Sequence, residues 1–246
     1  MRAIFEGLVL SLGYFSQIHL PYRVQKVIPR VYGFMALSLP FVGMLLGILT
    51  VAIYLFVSSL FDDVYGGVFA AIVYMALYGF IHLEGMSDII DAYYAKHSGK
   101  EVYTVLKDPT IGALGAIGTF CFILLKSLVL FYLFRSQLFY GVIVGMGLSR
   151  LMAVVLIYLA SFHSGSTFIM KMKKGISLQA FWAVVCVVAM MSMLVSFTLF
   201  LLALVVTYIL YIWLQKNIGF LNGDGLGFVI EIIEWVLFNI FFFLSM

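Results

Sequence analysis

The chain has 246 residues, of which 65% are hydrophobic and only 10% charged. Soluble globular domains carry about 25% charged residues, so water is excluded as the main solvent. The formal net charge of +3, with its cations spread over several loops, excludes a nucleic-acid-binding surface. The length suits one domain over 1–246, because no hydrophilic stretch is long enough to form a second. Cys121 and Cys186 lie in apolar runs, outside any CxxC or Cys/His spacing. They are expected to be small buried hydrophobes rather than disulfide or zinc partners.

In chain order, residues 1–17 join an early Arg2 to an apolar run, as a signal peptide does. However, Glu6 interrupts the run, and no small-x-small cleavage site precedes the basic loop of Arg23, Lys26 and Arg30. This segment is expected to be a retained interfacial or half-inserted helix. A membrane span needs about 20 predominantly apolar residues. Runs at 32–61, 64–82, 110–134, 138–160, 178–195, 196–214 and 227–246 meet that need, with a tight hairpin near 192–196 dividing the fifth from the sixth. The expected fold is an all-α polytopic membrane helix bundle of about seven spans plus an N-terminal interfacial helix.

Seven crossings put the loops 18–31, 83–109, 161–177 and 215–226 on one side, with most of the lysines and arginines. The other side receives only the turn at Asp62 and Asp63, Arg135 and the hairpin. Positive charge favours the cytoplasm, so the four larger loops are expected to be cytoplasmic, in an integral protein of the inner membrane. They also carry Glu84, Asp88, Asp91, Asp108 and Asp224, which points to a cytoplasmic substrate.

The stretch His82-Leu-Glu-Gly-Met-Ser-Asp-Ile-Ile-Asp91 places Glu84, Asp88 and Asp91 at i, i+4 and i+7, on one helical face. Like charges at that spacing repel, and a divalent cation would compensate them. Oxygen-only ligands suit Mg²⁺ or Mn²⁺; the alternative is a solvated face just outside the lipid. His82 points away from that face on a regular helix, and would join the site only across a kink at Gly85. Asp108 before Pro109 has the form of a helix start, with Asp108 as N-cap and Pro109 at the first helical position. That capping role and a role toward substrate both remain open for Asp108, and Lys107 beside it could meet a phosphate. Gly112, Gly115 and Gly118 read as helix-packing positions. Lys126 and Arg150 lie inside spans, where a charge costs about 2.5–3.5 kcal/mol and needs a partner or a polar cavity. Glu231 and Glu234 are the natural partners; the four residues form either structural glue or an anionic-substrate site.

These stretches together resemble the cobalamin 5′-phosphate synthase family, the adenosylcobinamide-GDP ribazoletransferases. The family's His-Leu-Asp-Gly-Leu-Ala-Asp-x-x-Asp-Gly is similar to His82-Leu-Glu-Gly-Met-Ser-Asp-Ile-Ile-Asp91-Ala. Its Met-Arg-Asp-Ser-x-x-Gly-x-x-Gly is matched by Leu106-Lys-Asp-Pro-Thr-Ile-Gly-Ala-Leu-Gly115, and its Ser-Arg pair by Ser149-Arg150. Its late Thr-Gly-Asp-x-x-Gly-Ala with acids beyond resembles Asn222-Gly-Asp-Gly-Leu-Gly-Phe228 followed by Glu231 and Glu234. An early Leu-Pro and a later Phe-Pro-x-x-Gly resemble Leu20-Pro21 and Leu39-Pro-Phe-Val-Gly43. Departures are Glu84 for Asp, Ala92 for Gly and Lys107 for Arg.

The resemblance implies transfer of a substituted phosphate: adenosylcobinamide-GDP and α-ribazole, or its 5′-phosphate, give adenosylcobalamin or its phosphate and GMP, with Mg²⁺ as cofactor. It implies Asp88 and Asp91 as metal ligands assisted by Glu84, with Asp224 as a further metal or base contact. His82, Lys107, Asp108, Lys126, Arg150, Glu231 and Glu234 are then expected around the substrates. The implied partners are those small molecules and membrane lipid, with no nucleic acid and with homo-oligomers allowed. A CDP-alcohol phosphotransferase is the rival within enzymes, but no Ala-Arg follows Glu84-Gly85 and Asp88 comes too early. A transporter using the four buried charges is the rival outside them; it would place its site at mid-membrane and often show repeats, whereas these acids gather at the interface.

Overall fold

A computed structural model of the chain describes residues 2–25, 27–193 and 196–245. Among them every regular element is a helix. In order these are α1 (Arg2–Phe15), α2 (Pro29–Leu37), α3 (Leu39–Leu60), α4 (Asp63–Leu77), α5 (Ile81–His97) and the single-turn α6 (Val102–Val105). There follow α7 (Ala113–Arg135), α8 (Phe139–Leu159), α9 (Thr167–Gly175), α10 (Leu178–Met193), α11 (Phe197–Asn217) and α12 (Gly223–Leu244).

Five of these, α3, α7, α8, α11 and α12, are long and apolar enough to cross a membrane unbroken. Two bent pairs, in which α4 turns into α5 through 82° and α9 into α10 through 91°, raise the number to seven when each pair is counted as one crossing. The expected seven spans are the upper end of that range of five to seven. The α4–α5 bend falls at Gly79 and Phe80, both in the left-handed region with φ of 67° and 58°. For Phe80 that conformation costs roughly 1–2 kcal/mol. The helix α5 then runs unbroken through Gly85, where a kink would have been needed to turn His82 onto the acidic face. We read α4 as the crossing and α5 as the segment that leaves it, since α5 is the polar partner carrying three acids and Lys96. At the opposite end, Asp62 caps α4 by accepting from the N–H groups of Val64 and Tyr65 at 2.8 Å each.

The hub is α8, whose most apolar stretch is 78% buried, against 22% for the peripheral α11. Close approach of α3 to α8 depends on small residues: a Cβ at Gly47 would stand 2.9 Å from the Ile143 Cα. The N-terminal α1 packs on α2, as an interfacial helix would, and Gln17 beyond it donates its N–H to the Leu77 carbonyl at 2.7 Å. Cys121 and Cys186 form no disulfide, but both are exposed on the outer faces of α7 and α10 rather than buried. A small apolar thiol has no reason to avoid lipid, and the outer surface of such a bundle is apolar. The expected hairpin at 192–196 has its centre, residues 194 and 195, outside the described residues; α10 ends and α11 begins on either side of it.

The four loops assigned to one side meet at one end of the bundle. His163 donates its N–H to the Leu221 carbonyl at 2.9 Å, and Lys96 Nζ donates to the Lys216 carbonyl at 3.1 Å. Polar side chains too costly for lipid are thereby gathered on one surface.

Candidate functional site

The site is built where α5 crosses the first turn of α12. A Cβ at Gly85 would stand 2.7 Å from the Asp224 carbonyl oxygen, and one at Gly227 would stand 3.2 Å from the His82 Cα. Two glycines facing across the crossing let the helices touch by backbone, which brings Asp224 beside the acidic face of α5. Asn222 starts α12: its side-chain oxygen accepts from the Gly225 N–H at 2.9 Å, while its Nδ2 donates to Asp224 Oδ2 at 2.6 Å. Glu84, Asp88 and Asp91 do share a face of α5, with Glu84 exposed and Asp88 half-buried. Burial, followed by the charges of Asp224, Glu84 and Asp91, pushes the Asp88 carboxyl up to about 6. Oxygen donors with uncompensated negative charge suit a hard divalent cation. Among the described residues, no three His, Cys, Asp or Glu side chains already stand together in a ligating group.

Asp91 has another task. Its two oxygens accept from the backbone N–H groups of Gly112 at 2.8 Å and Gly115 at 2.7 Å. It therefore caps the start of α7 from a neighbouring helix, satisfying N–H groups that a helix leaves unpaired. This corrects the expectation for Asp108 and Pro109, which lie in a loop five and four residues before α7 begins at Ala113. Asp108 instead accepts from the Thr110 hydroxyl at 2.6 Å and N–H at 2.9 Å, and these bonds hold its carboxyl below the usual carboxylate range. It is fully exposed to solvent. The glycines at 112 and 115 serve packing as expected, and they also free two N–H groups for Asp91.

Deeper in the bundle, Lys126, Arg150, Glu231 and Glu234 meet as a quartet. Lys126 Nζ lies 2.6 Å from Glu231 Oε2 and 2.7 Å from Glu234 Oε1, and Arg150 reaches Glu234 Oε2 at 2.6 Å. The Tyr74 hydroxyl donates to Glu234 Oε1 at 2.7 Å and accepts from Arg150 at 2.9 Å. Two positive and two negative charges balance, and all four side chains are buried. Of the two readings left open for these residues, this geometry is the structural one: the quartet ties α4, α7, α8 and α12 in the low-dielectric interior. The His82 ring stacks on Tyr78 with centroids 5.3 Å apart, and its Nε2 is buried without a partner. It lines the same cleft as Glu84 and Asp224.

Two clefts open beside Asp224. The first encloses about 280 Å³ between α1, α5, α8, α9 and α12; its rim carries Glu84 and Asp224. The second, about 250 Å³, is lined by Lys107, His163, Ser166, Thr167, Asn222 and Asp224. They share Tyr14, Phe168, Ile169, Gly223 and Asp224, and so form one bipartite cleft. The structure brings together His82, Glu84, Asp224 and Lys107; Asp88, Asp91, Asp108 and the quartet line neither part. Sequence reasoning missed His163, whose ring packs on Tyr103 at 4.4 Å and Phe220 at 4.7 Å. A lone histidine in a Ser/Gly loop offers no spacing signal. Tyr14 and Phe168 were also missed, since an aromatic on an apolar helix looks like any core residue.

The family model for cobalamin-5-phosphate synthase matches residues 7–242. The adenosylcobinamide-GDP ribazoletransferase of Clostridium perfringens (strain SM101 / Type A) is 24% identical over 251 residues, covering 96% of each chain. That of Treponema denticola is 25% identical over 98% of each chain, and that of Novosphingobium aromaticivorans 27% identical over 93% of each. No solved structure matches the chain. With the match running from the middle of α1 almost to the end of α12, the chain belongs to the cobalamin-5-phosphate synthase family.

Proposed function

We propose that this chain is an adenosylcobinamide-GDP ribazoletransferase of cobalamin synthesis, acting at the cytoplasmic face of the inner membrane. A ribose hydroxyl of α-ribazole, or of its 5′-phosphate, attacks the phosphorus joined to cobinamide; the bond to GMP breaks, and the hydroxyl proton leaves with a base. The observation that carries this reading is Glu84 and Asp224 on one side of a cleft whose other part holds Lys107, with Asp88 close enough behind them for burial and their charges to raise its carboxyl. Attack on a phosphorus flanked by negative oxygens needs positive charge at the phosphate and a proton acceptor at the nucleophile. Lys107 supplies the first and Asp224, on the border of both parts, the second. Glu84, Asp88 and Asp224 would hold Mg²⁺, which when bound neutralises charge developing on the phosphate oxygens. Asp91 contributes mainly by fixing α7 against α5. The rival phosphotransferase and transporter readings have no comparable support.

The test uses membranes containing the protein, given adenosylcobinamide-GDP, α-ribazole and Mg²⁺. GMP and adenosylcobalamin should form in equal amounts, and release no greater than from control membranes would sink the reading. Asp88→Asn keeps the size of the side chain but removes its charge. It should lower turnover by at least about a hundredfold, the scale of losing one electrostatic contact to a transition state, with the protein still inserted in the membrane.

A further inference from the structure

The first cleft is divided by chemistry. Its rim has two carboxylates, Glu84 and Asp224, and no cation. Its depth is apolar except at one point: Leu39, Ala153, Ile157, Met172 and Ile230 line it together with His82, whose Nε2 is buried without a partner. One wall is aromatic, Tyr14 against Phe168 with centroids 4.7 Å apart. Pockets for drug-sized ligands run to about 300–1,000 Å³, so about 280 Å³ suits a nucleoside-sized group better than a corrin macrocycle.

We propose that this apolar hold receives the planar base of α-ribazole, leaving its ribose at Glu84 and Asp224 and the diphosphate of the other substrate in the cleft of Lys107 and His163. The assignment rests on the transferase reading above. Two flat bicyclic bases compete for such a hold, the alkylated benzimidazole of α-ribazole and the guanine of the GDP moiety. Guanine carries several donors and acceptors around its edge; His82 can meet one of them, and burying the rest unpaired is unfavourable in so apolar a setting. A dialkylbenzimidazole has an apolar edge instead, which aliphatic walls satisfy. A phosphate end is disfavoured by the two carboxylates at the mouth. Ala153, Ile157 and Met172 are then specificity-determining residues: they touch the base, and they meet neither the acids nor Lys107.

The protein in detergent micelles would be tested by equilibrium dialysis against α-ribazole, with GMP and the adenine riboside as competitors, and by steady-state kinetics for both substrates. Wild type should bind α-ribazole, and neither competitor should displace it at equal concentration. Ala153→Leu fills the hold with three carbons and should weaken α-ribazole binding and raise its KM at least tenfold, the lower end for misfit in an apolar pocket. The KM for adenosylcobinamide-GDP should stay within twofold. Should Ala153→Leu fail to fold by thermal melt, Ile157→Ala decides, since enlarging the hold should raise relative kcat/KM for a ribazole with a bulkier base. Displacement by GMP, a KM change confined to adenosylcobinamide-GDP, or unchanged base preference in the folded variants would overturn the assignment. GMP release by wild type alongside any of these would leave the transferase reading standing, and its absence would remove that reading first.

Discussion

Asp88 shows how much of the site depends on single charges. Its carboxyl is pushed up to about 6 by burial and by Asp224, Glu84 and Asp91, from an ordinary value near 3.8. The folded, cation-free protein therefore binds more protons than the unfolded chain between about pH 4 and 6. Stability from this group is fully present below pH 4 and is lost as pH rises through 6. A bound divalent cation reverses the sign, because it favours the ionised form. We expect the melting temperature at pH 7 to rise on adding Mg²⁺ in place of chelator. We also expect Asp88→Asn to be more stable than wild type at pH 7 without the cation, and to lose most of the Mg²⁺ response. Melts of both proteins at pH 4.5 and 7, with and without Mg²⁺, check this; identical Mg²⁺ responses would remove Asp88 from the cation site. The spacing of Glu84, Asp88 and Asp91 was legible in the sequence because it follows from helical geometry alone. The anchoring of Asp91 was not, because its partners are backbone N–H groups, which look the same at every position.

At the scale of elements, hydrophobic runs located the spans, since each must fill a bilayer with apolar side chains. What the runs could not reveal is where a helix stops inside a polar segment. The Asp108-Pro109 pair has the local form of a helix start, yet Asp108 spends its carboxylate on Thr110 while α7 takes its cap from Asp91. A long-range cap overrode the local one, and the helix began at Ala113. The α5–α7 contact makes a specific demand on its glycines. A Cβ at Gly115 would collide with the Asp91 carboxylate and the Ser87 carbonyl, whereas one at Gly118 meets only the flexible end of Ile90, at 2.9 Å. Gly115→Ala should therefore displace Asp91, lower the melting temperature by several degrees and cut turnover. Gly118→Ala should change both far less. Equal effects in the two variants would mean that general helix crowding, rather than the Asp91 cap, governs this contact.

Across the whole molecule, the buried quartet holds four helices in one register, and the partners proposed from sequence for Lys126 and Arg150 are the ones found. That pairing was legible because charges in lipid must find opposite charges; its seclusion from the cleft was not, because sequence carries no depth. Breaking one arm leaves an uncompensated charge, a loss of about 3–5 kcal/mol. Lys126→Met should therefore destabilise strongly in mixed-micelle unfolding, and Lys126→Met with Glu231→Gln should recover part of the loss, since Glu234 keeps Arg150. The same economy of charge fixes the orientation in the membrane. Lysines and arginines crowd the end that carries the cleft, and such loops resist translocation, so this end should face the cytoplasm. After both native cysteines are replaced by alanine, Ser98→Cys lies exposed at the cleft end and Phe61→Cys exposed at the other. A membrane-impermeant maleimide added to intact cells with a permeable outer membrane should label Phe61→Cys and spare Ser98→Cys until the inner membrane is opened. The reverse pattern would turn the protein over and move the site away from its nucleotide substrate, leaving the cytoplasmic assignment untenable whatever the chemistry of the acids.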